Sequence, residues 1–130
     1  MISEKMKVAM QGIIPSAVVT VDQEGVPNIS YVSQIYYVDD LHVALSHQFL
    51  NKTIRNIKGN AKASVNIVSP EDFTQWRLDL EHSHSETEGN LFDQMSMQLE
   101  AIASTQGMSD VFKLQSADVY KVLAIERCHR

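Results

Sequence analysis

The stretch Leu41-His42-Val43-Ala44-Leu45-Ser46-His47-Gln48-Phe49-Leu50-Asn51-Lys52-Thr53-Ile54-Arg55-Asn56-Ile57-Lys58-Gly59-Asn60-Ala61-Lys62-Ala63-Ser64-Val65-Asn66-Ile67-Val68 decides the fold. Leu41, Val43 and Leu45 alternate with polar or small residues, the period of a half-buried strand. Ser46-His47-Gln48 reads as a polar turn, and a short helix opens at Asn51-Lys52-Thr53. Ala61, Ala63, Val65 and Ile67 then alternate as a second strand. This layout gathers a lysine, small hydroxyls and the first N–H groups of a helix, which lack intrahelical partners and sit at the positive end of the dipole. Such an end favours a phosphate.

Ile2 to Gln11 is amphipathic, with Met6 and Met10 one turn apart, and Gly12 stops it as a helix. After Pro15 the period changes to two: Ala17, Val19 and Val21 oppose Ser16, Thr20 and Asp22, and Glu24-Gly25 marks a turn. Asn28 to Val38 reads as one strand with Ile29, Tyr31, Ile35 and Tyr37 on one face, joined by Asp39-Asp40 to the Leu41 strand. Beyond the fourth strand, closed by Ser69-Pro70, Trp76 to Ser85 gives a fifth. From Glu86 the period is helical, with Leu91, Met95, Leu99 and Ile102 on one side and Gly107 at its end. The last strand, Leu114 to Glu126, is apolar on both faces, so one side meets the core and the other meets the late helix or a second subunit. The expectation is mainly β with added helices: six antiparallel strands in a small barrel that closes on its own edges, one helix between the third and fourth strands and a long helix before the last.

The composition sets further bounds. With 130 residues, 44% of them apolar, the chain reads as a single domain, residues 1–130, with a real core. No apolar run has the length of a membrane helix, and Met1 to Lys7 lacks the apolar region of a secretory signal, which points to the cytoplasm and away from a membrane. The lone Cys128 allows neither an intramolecular disulfide nor a cysteine zinc site. A formal charge of -5 argues against nucleic acid, since a basic stripe supplies most of that affinity. Lys52, Arg55 and Lys58 cluster on the short helix, which suits a small anion better than a polymer.

Taken in order, Gly25-Val26-Pro27 at a strand start, Ser46 ending the third strand, Lys52 six residues later, Asn56-Ile57, and Gly59-Asn60-Ala61 before the fourth strand resemble the pyridoxamine 5'-phosphate oxidase-like family. The resemblance runs from about Pro15 to Glu126 and implies a split β-barrel that binds FMN. It further implies that ring and ribityl chain lie along the second strand at Ser30, Tyr31, Val32 and Ser33, and that the phosphate reaches Ser46, Asn51, Lys52 and Thr53. A homodimer is implied too, because members usually place the flavin at a two-fold interface, as is a small-molecule substrate or electron donor. The chain departs from the oxidase that names the family. Ser30 stands where the oxidase has a basic residue, and the oxidase's arginine- and histidine-containing C-terminal motif has no counterpart in Ala124 to Arg130. Pyridoxine-phosphate oxidation is therefore not expected; a flavin-dependent oxidoreductase is, with a non-catalytic module for FMN, haem or another small ligand as the alternative.

Other candidates have plainer explanations. His82 and His84 alternate on one strand face, a spacing that two imidazoles can use for a metal, but no third ligand is evident, and an exposed strand end is the expected role. His47 lies near the phosphate residues and His42 alternates outward. Met95, Met97 and Met108 fit core packing. No nucleophile elbow and no dinucleotide fingerprint occur, and the sequence names no catalytic side chain.

Overall fold

Ser3 starts the first helix, α1 (Glu4–Met10), by accepting a hydrogen bond from the Met6 N–H at 3.3 Å, a cap of the kind that contributes about 1 kcal/mol. The computed structural model describes residues 1–32, 34–47, 56–57, 59–105 and 114–128. Seven strands follow α1 in the order β1 (Ser16–Val21), β2 (Pro27–Val32), β3 (Tyr36–Asp39), β4 (His42–His47), β5 (Lys62–Val68), β6 (Gln75–Glu86) and, after the helix α2 (Asn90–Thr105), β7 (Ser116–Cys128). The β1–β2 hairpin turns at Gly25, whose φ of 87° suits glycine, while the Asp22 carboxylate accepts from the N–H groups of Glu24 and Val26, both at 2.9 Å.

All seven strands form one antiparallel sheet in the order β2-β1-β5-β6-β7-β4-β3. Its edges, β2 and β3, are consecutive in sequence. Laid flat, six strand spacings would separate them by about 29 Å, yet the four residue steps from Val32 to Tyr36 reach at most about 14 Å. The sheet must therefore curl until its edges approach without pairing, which is the shape of a split barrel. The inner face carries Val18, Val43, Leu45, Val65, Ile67, Leu78, Leu80, Tyr120 and Val122, and α1 adds Ala9 and Met10 to the same core. On the outside, α2 sets Met95 and Leu91 against Ala44, Ala117 and Val119.

Three sequence expectations need correction. Asn28 to Val38 is two strands, not one, so the count is seven rather than six, and the sheet is not closed. The cause is Ile35: it leaves the ladder, is 2% exposed in the core, and donates its N–H to the Met10 carbonyl at 2.9 Å. That docking ends the expected shared face, since Ile29 and Tyr31 stay exposed. Third, His82 and His84 do not share a face. The β6–β7 register shifts between them, pairing His82 with Tyr120 and His84 with Val119, neighbours that point to opposite sides of the sheet. Among the described residues no three histidine, cysteine or acidic side chains are grouped to hold a metal. By contrast the first half of β7 has the two apolar faces expected of it, with α2 packed on the outer one at Ala117 and Val119, whereas Leu123 further along is exposed. For the expected helix from Asn51, Asn56, Ile57 and Gly59 are helical, and the segment's opening lies outside the described residues. No helix among the described residues is long and apolar enough to cross a membrane.

An exposed ion pair, Lys5 with Asp72, ties α1 to the β5–β6 loop. The Lys5 ammonium, then the Thr74 hydroxyl and N–H, hold the Asp72 carboxyl well below the usual carboxylate range. A depressed folded-state pKa gives stability that is present above the ordinary carboxylate value of about 3.9 and lost as pH falls below it. Asp72→Asn is accordingly expected to flatten the fall in urea midpoint between about pH 5 and about pH 2, and added salt to do the same in the parent protein.

Candidate functional site

Of the eight residues expected to contact a cofactor, four are described. Ser30, Tyr31 and Val32 lie on β2, the sheet edge, which has a neighbouring strand only on the β1 side; their partners there are Val18, Ala17 and Ser16. Their side chains alternate. Val32 packs on the core and Ser30 opposes the buried Val18, whereas Tyr31 stands outward at 73% exposure beside Ile29 at 60%. Ser46 is on β4 opposite Ala117, on the outer face that continues from Ala44. Ser33, Asn51, Lys52 and Thr53 lie outside the described residues, as do Arg55, Lys58, Gly107 and Met108.

The chain around the candidate phosphate residues is fixed at both ends. Ser46 is held in the β4–β7 ladder. On the far side, the buried Asn56 donates its amide to the Thr20 hydroxyl at 3.1 Å, Ile57 enters the core, and the Asn60 N–H bonds the Asn56 carbonyl at 2.7 Å. The Asn56-Ile57 pair quoted from the sequence thus anchors the segment to β1 and the barrel interior.

The outer face of β2, β1, β5 and β6 carries a row of cross-strand neighbours: Tyr31, Ala17, Asn66 and Arg77. Beside it runs Ile29, Val19, Ser64 and Asp79, where the Ser64 hydroxyl donates to Asp79 at 3.0 Å and the Arg77 guanidinium lies 3.2 Å from the same carboxylate. Asn66 donates its side-chain amide to the Gln75 side-chain carbonyl at 3.2 Å, while its own Oδ1 is buried and has no hydrogen-bond partner. A buried acceptor left unmade costs about 1–3 kcal/mol. The face therefore holds an exposed aromatic ring on β2 and, two strands away on β5, a buried acceptor without a hydrogen-bond partner. The sequence singles out neither Asn66 nor Gln75. Alternation alone puts Asn66 outward, but the missing partner emerges only from the register of β5 against β6.

A second polar atom is unpartnered, the hydroxyl of Ser16, fully buried opposite Val32. It faces the core rather than the outer row. Ser16→Ala is expected to raise the unfolding free energy by about 1 kcal/mol, read from the denaturant midpoint, because it removes an unsatisfied buried group.

At the far end of β6 and β7 a hydrogen-bonded chain runs inward. Asp118, 3% exposed, accepts from the hydroxyls of Ser85 at 2.7 Å and Ser116 at 2.8 Å. Since Ser85 spends its proton on Asp118, its oxygen accepts from His82 Nε2, 3.1 Å away, so that nitrogen carries the hydrogen. The His82 ring meets Tyr120 edge-on with centroids 5.3 Å apart. Burial, and then the Asp118 charge, raise the Tyr120 hydroxyl above its ordinary pKa, so it stays neutral. His84 instead bonds Glu86 at 2.9 Å on the outside. His82 is thus a member of a structural network.

The sequence profile of the family Pyridoxamine 5'-phosphate oxidase matches residues 2–123 of this chain. No curated protein matches it. Among solved structures, an FMN-binding protein from Syntrophomonas wolfei subsp. wolfei is similar, with a TM-score of 0.81 and 22% identity over 98% of this chain and 86% of that one. HupZ from Group A Streptococcus superposes with a TM-score of 0.75 and 24% identity, covering 98% of this chain and 94% of its own. The haem storage protein HutZ from Vibrio cholerae gives 0.61 and 20% identity over 97% and 94% of the two chains. These likenesses establish the fold, and the profile spans nearly the whole chain with the strand order derived above: the chain belongs to the pyridoxamine 5'-phosphate oxidase-like family.

Proposed function

We propose that this chain binds FMN, as a homodimer, and works as a flavin-dependent oxidoreductase on a small molecule, with a small-molecule electron donor. The observation that carries the reading is the family match over residues 2–123, joined to the order Ser46, Lys52, Asn56-Ile57 within a segment anchored at both ends. Support comes from the Syntrophomonas wolfei FMN-binding protein, which shares the fold along 98% of this chain. Ser30, Tyr31, Val32 and Ser33 hold the ring and ribityl chain, and Ser46, Asn51, Lys52 and Thr53 hold the phosphate. A phosphate needs a cation and several N–H or O–H donors, and that set supplies them. The bound ring provides the hydride or electron-pair chemistry, while the protein binds and orients it. The second subunit covers the outer apolar residues Val26, Ile29 and Tyr31, which are unusually exposed for a strand pair.

A non-catalytic role in binding FMN, haem or another small ligand is the second reading. It is favoured by one observation, the haem storage protein among the structural neighbours. The deciding experiment is an absorbance spectrum of the purified protein before and after adding FMN, followed by gel filtration. Flavin bands retained at about one FMN per subunit, bleached by a reduced nicotinamide or other donor, support the oxidoreductase. Retained flavin that no donor reduces favours the binding role. A colourless protein that lets FMN pass, but retains haemin, replaces the flavin reading with haem.

A further inference from the structure

We infer that the buried Thr20–Asn56 pair, with Gln23 against Gly59, positions the phosphate segment relative to β2 and so makes the site select a phosphorylated flavin over an unphosphorylated one; the inference rests on the FMN reading. Asn56 follows Lys52 by four residues and Thr53 by three. It is 5% exposed, Thr20 is 1% exposed, and the Asn56 amide donates to the Thr20 hydroxyl at 3.1 Å. Ile57 beside it is held in the core by apolar contact, which tolerates sliding. A hydrogen bond between two buried side chains does not, because a shift along the strand leaves both groups unpaired away from water. The pair therefore fixes a place on β1 as well as adding stability.

The same hairpin carries a second grip. The β1–β2 turn sets the Gln23 side chain so close to Gly59 that a methyl group there would lie 3.0 Å from Gln23 Cγ and 3.1 Å from its Nε2. Gly59 is not among the glycines with positive φ, so the close approach, and not the backbone, calls for glycine. Across β1, Thr20 stands opposite Asn28 of β2, and Asn28 donates its amide to the Ser30 hydroxyl at 3.3 Å. Asn56 and Gly59 are thus gripped by the hairpin whose other strand carries Ser30, Tyr31 and Val32.

A ligand whose ring lies along β2 and whose phosphate reaches the segment after β4 gains from both ends only if the two are held at one spacing. The hairpin supplies that spacing, since β2 and the grip on Asn56 are both fixed to β1. Charge-assisted bonds to phosphate are directional and weaken when the donors are displaced. Riboflavin, without the phosphate, is indifferent to that displacement. Thr20 and Asn56 act as positioning residues through the phosphate contact.

The test measures FMN and riboflavin affinity by flavin fluorescence quenching on the full chain, for the parent, Thr20→Val and Thr20→Ser, each with and without Lys52→Ala. Circular dichroism sets a temperature at which every variant is folded. Thr20→Val keeps the shape and removes the acceptor; it should bind FMN about tenfold more weakly with riboflavin affinity unchanged. Thr20→Ser, which keeps the hydroxyl, should restore FMN binding. In the Lys52→Ala background Thr20→Val should add no further loss, because the contact it positions is gone. Equal losses for both flavins, a loss that simply adds to that of Lys52→Ala, or unchanged FMN affinity in Thr20→Val overturns the inference and leaves FMN binding in place. Should Thr20→Val fail to fold, Gly59→Ala takes its part: it should show the same FMN-selective loss, relieved by Gln23→Ala, and an affinity equal to the parent's overturns the inference. A parent protein that takes up no FMN overturns the flavin reading itself, and this inference with it.

Discussion

Leu78→Ala is expected to destabilise the protein by about 2–5 kcal/mol, the largest single effect on folding among the changes considered. Leu78 is fully buried on β6, between Val65 of β5 and Ile125 of β7, in the middle of the inner face. Its side chain is surrounded by strands that cannot move independently, since each is hydrogen-bonded on both sides. The cavity would therefore stay open rather than collapse, and the cost belongs in the upper part of that range. Urea unfolding with an unchanged m-value and a lowered midpoint is the expected readout. A loss below about 1 kcal/mol would mean that the curled sheet relaxes around the hole, against the tightly filled barrel described above.

Lys52→Ala carries the largest expected effect on ligand binding. A charge-assisted hydrogen bond to phosphate contributes about 1.5–3 kcal/mol, so FMN affinity should fall about 10- to 150-fold. The fold should survive, because the segment is anchored by Asn56 on Thr20 and by Ile57 in the core rather than by the lysine. Riboflavin, lacking the phosphate, gives the control: its affinity should be the same for Lys52→Ala and the parent. Unchanged FMN affinity would remove the phosphate assignment from Lys52.

How much of this was legible in the sequence varies from element to element. The strands β1, β4, β5 and β6 and both described helices follow from periods of two and of 3.6, because burial on one face imposes those periods. The two-faced character of β7 is likewise plain from an apolar run with no polar face. Where two structural demands compete within one stretch, periodicity fails. Asn28 to Val38 alternates throughout, yet Ile35 is drawn into the core by the barrel's need to cross from one sheet edge to the other. The bulge between His82 and His84 is equally invisible, since it depends on how β7 pairs with β6 and not on the composition of β6 alone.

The candidate site divides along the same line. Ser46, Lys52 and Asn56-Ile57 are neighbours in the chain, so local spacing alone marks them as a candidate phosphate segment. Tyr31, Ala17, Asn66 and Gln75 come from four strands, and they share one outer face only through the registers of β2, β1, β5 and β6. Periodicity and spacing over a few residues thus specify β1, β4, β5, β6, β7, the two helices α1 and α2, the family resemblance and a candidate phosphate segment. The seventh strand, the open split between β2 and β3 and the unpartnered acceptor of Asn66 arise from long-range pairing. Each of these depends on hydrogen-bonded partners that are distant along the chain, and no local pattern specifies which partner a strand will meet.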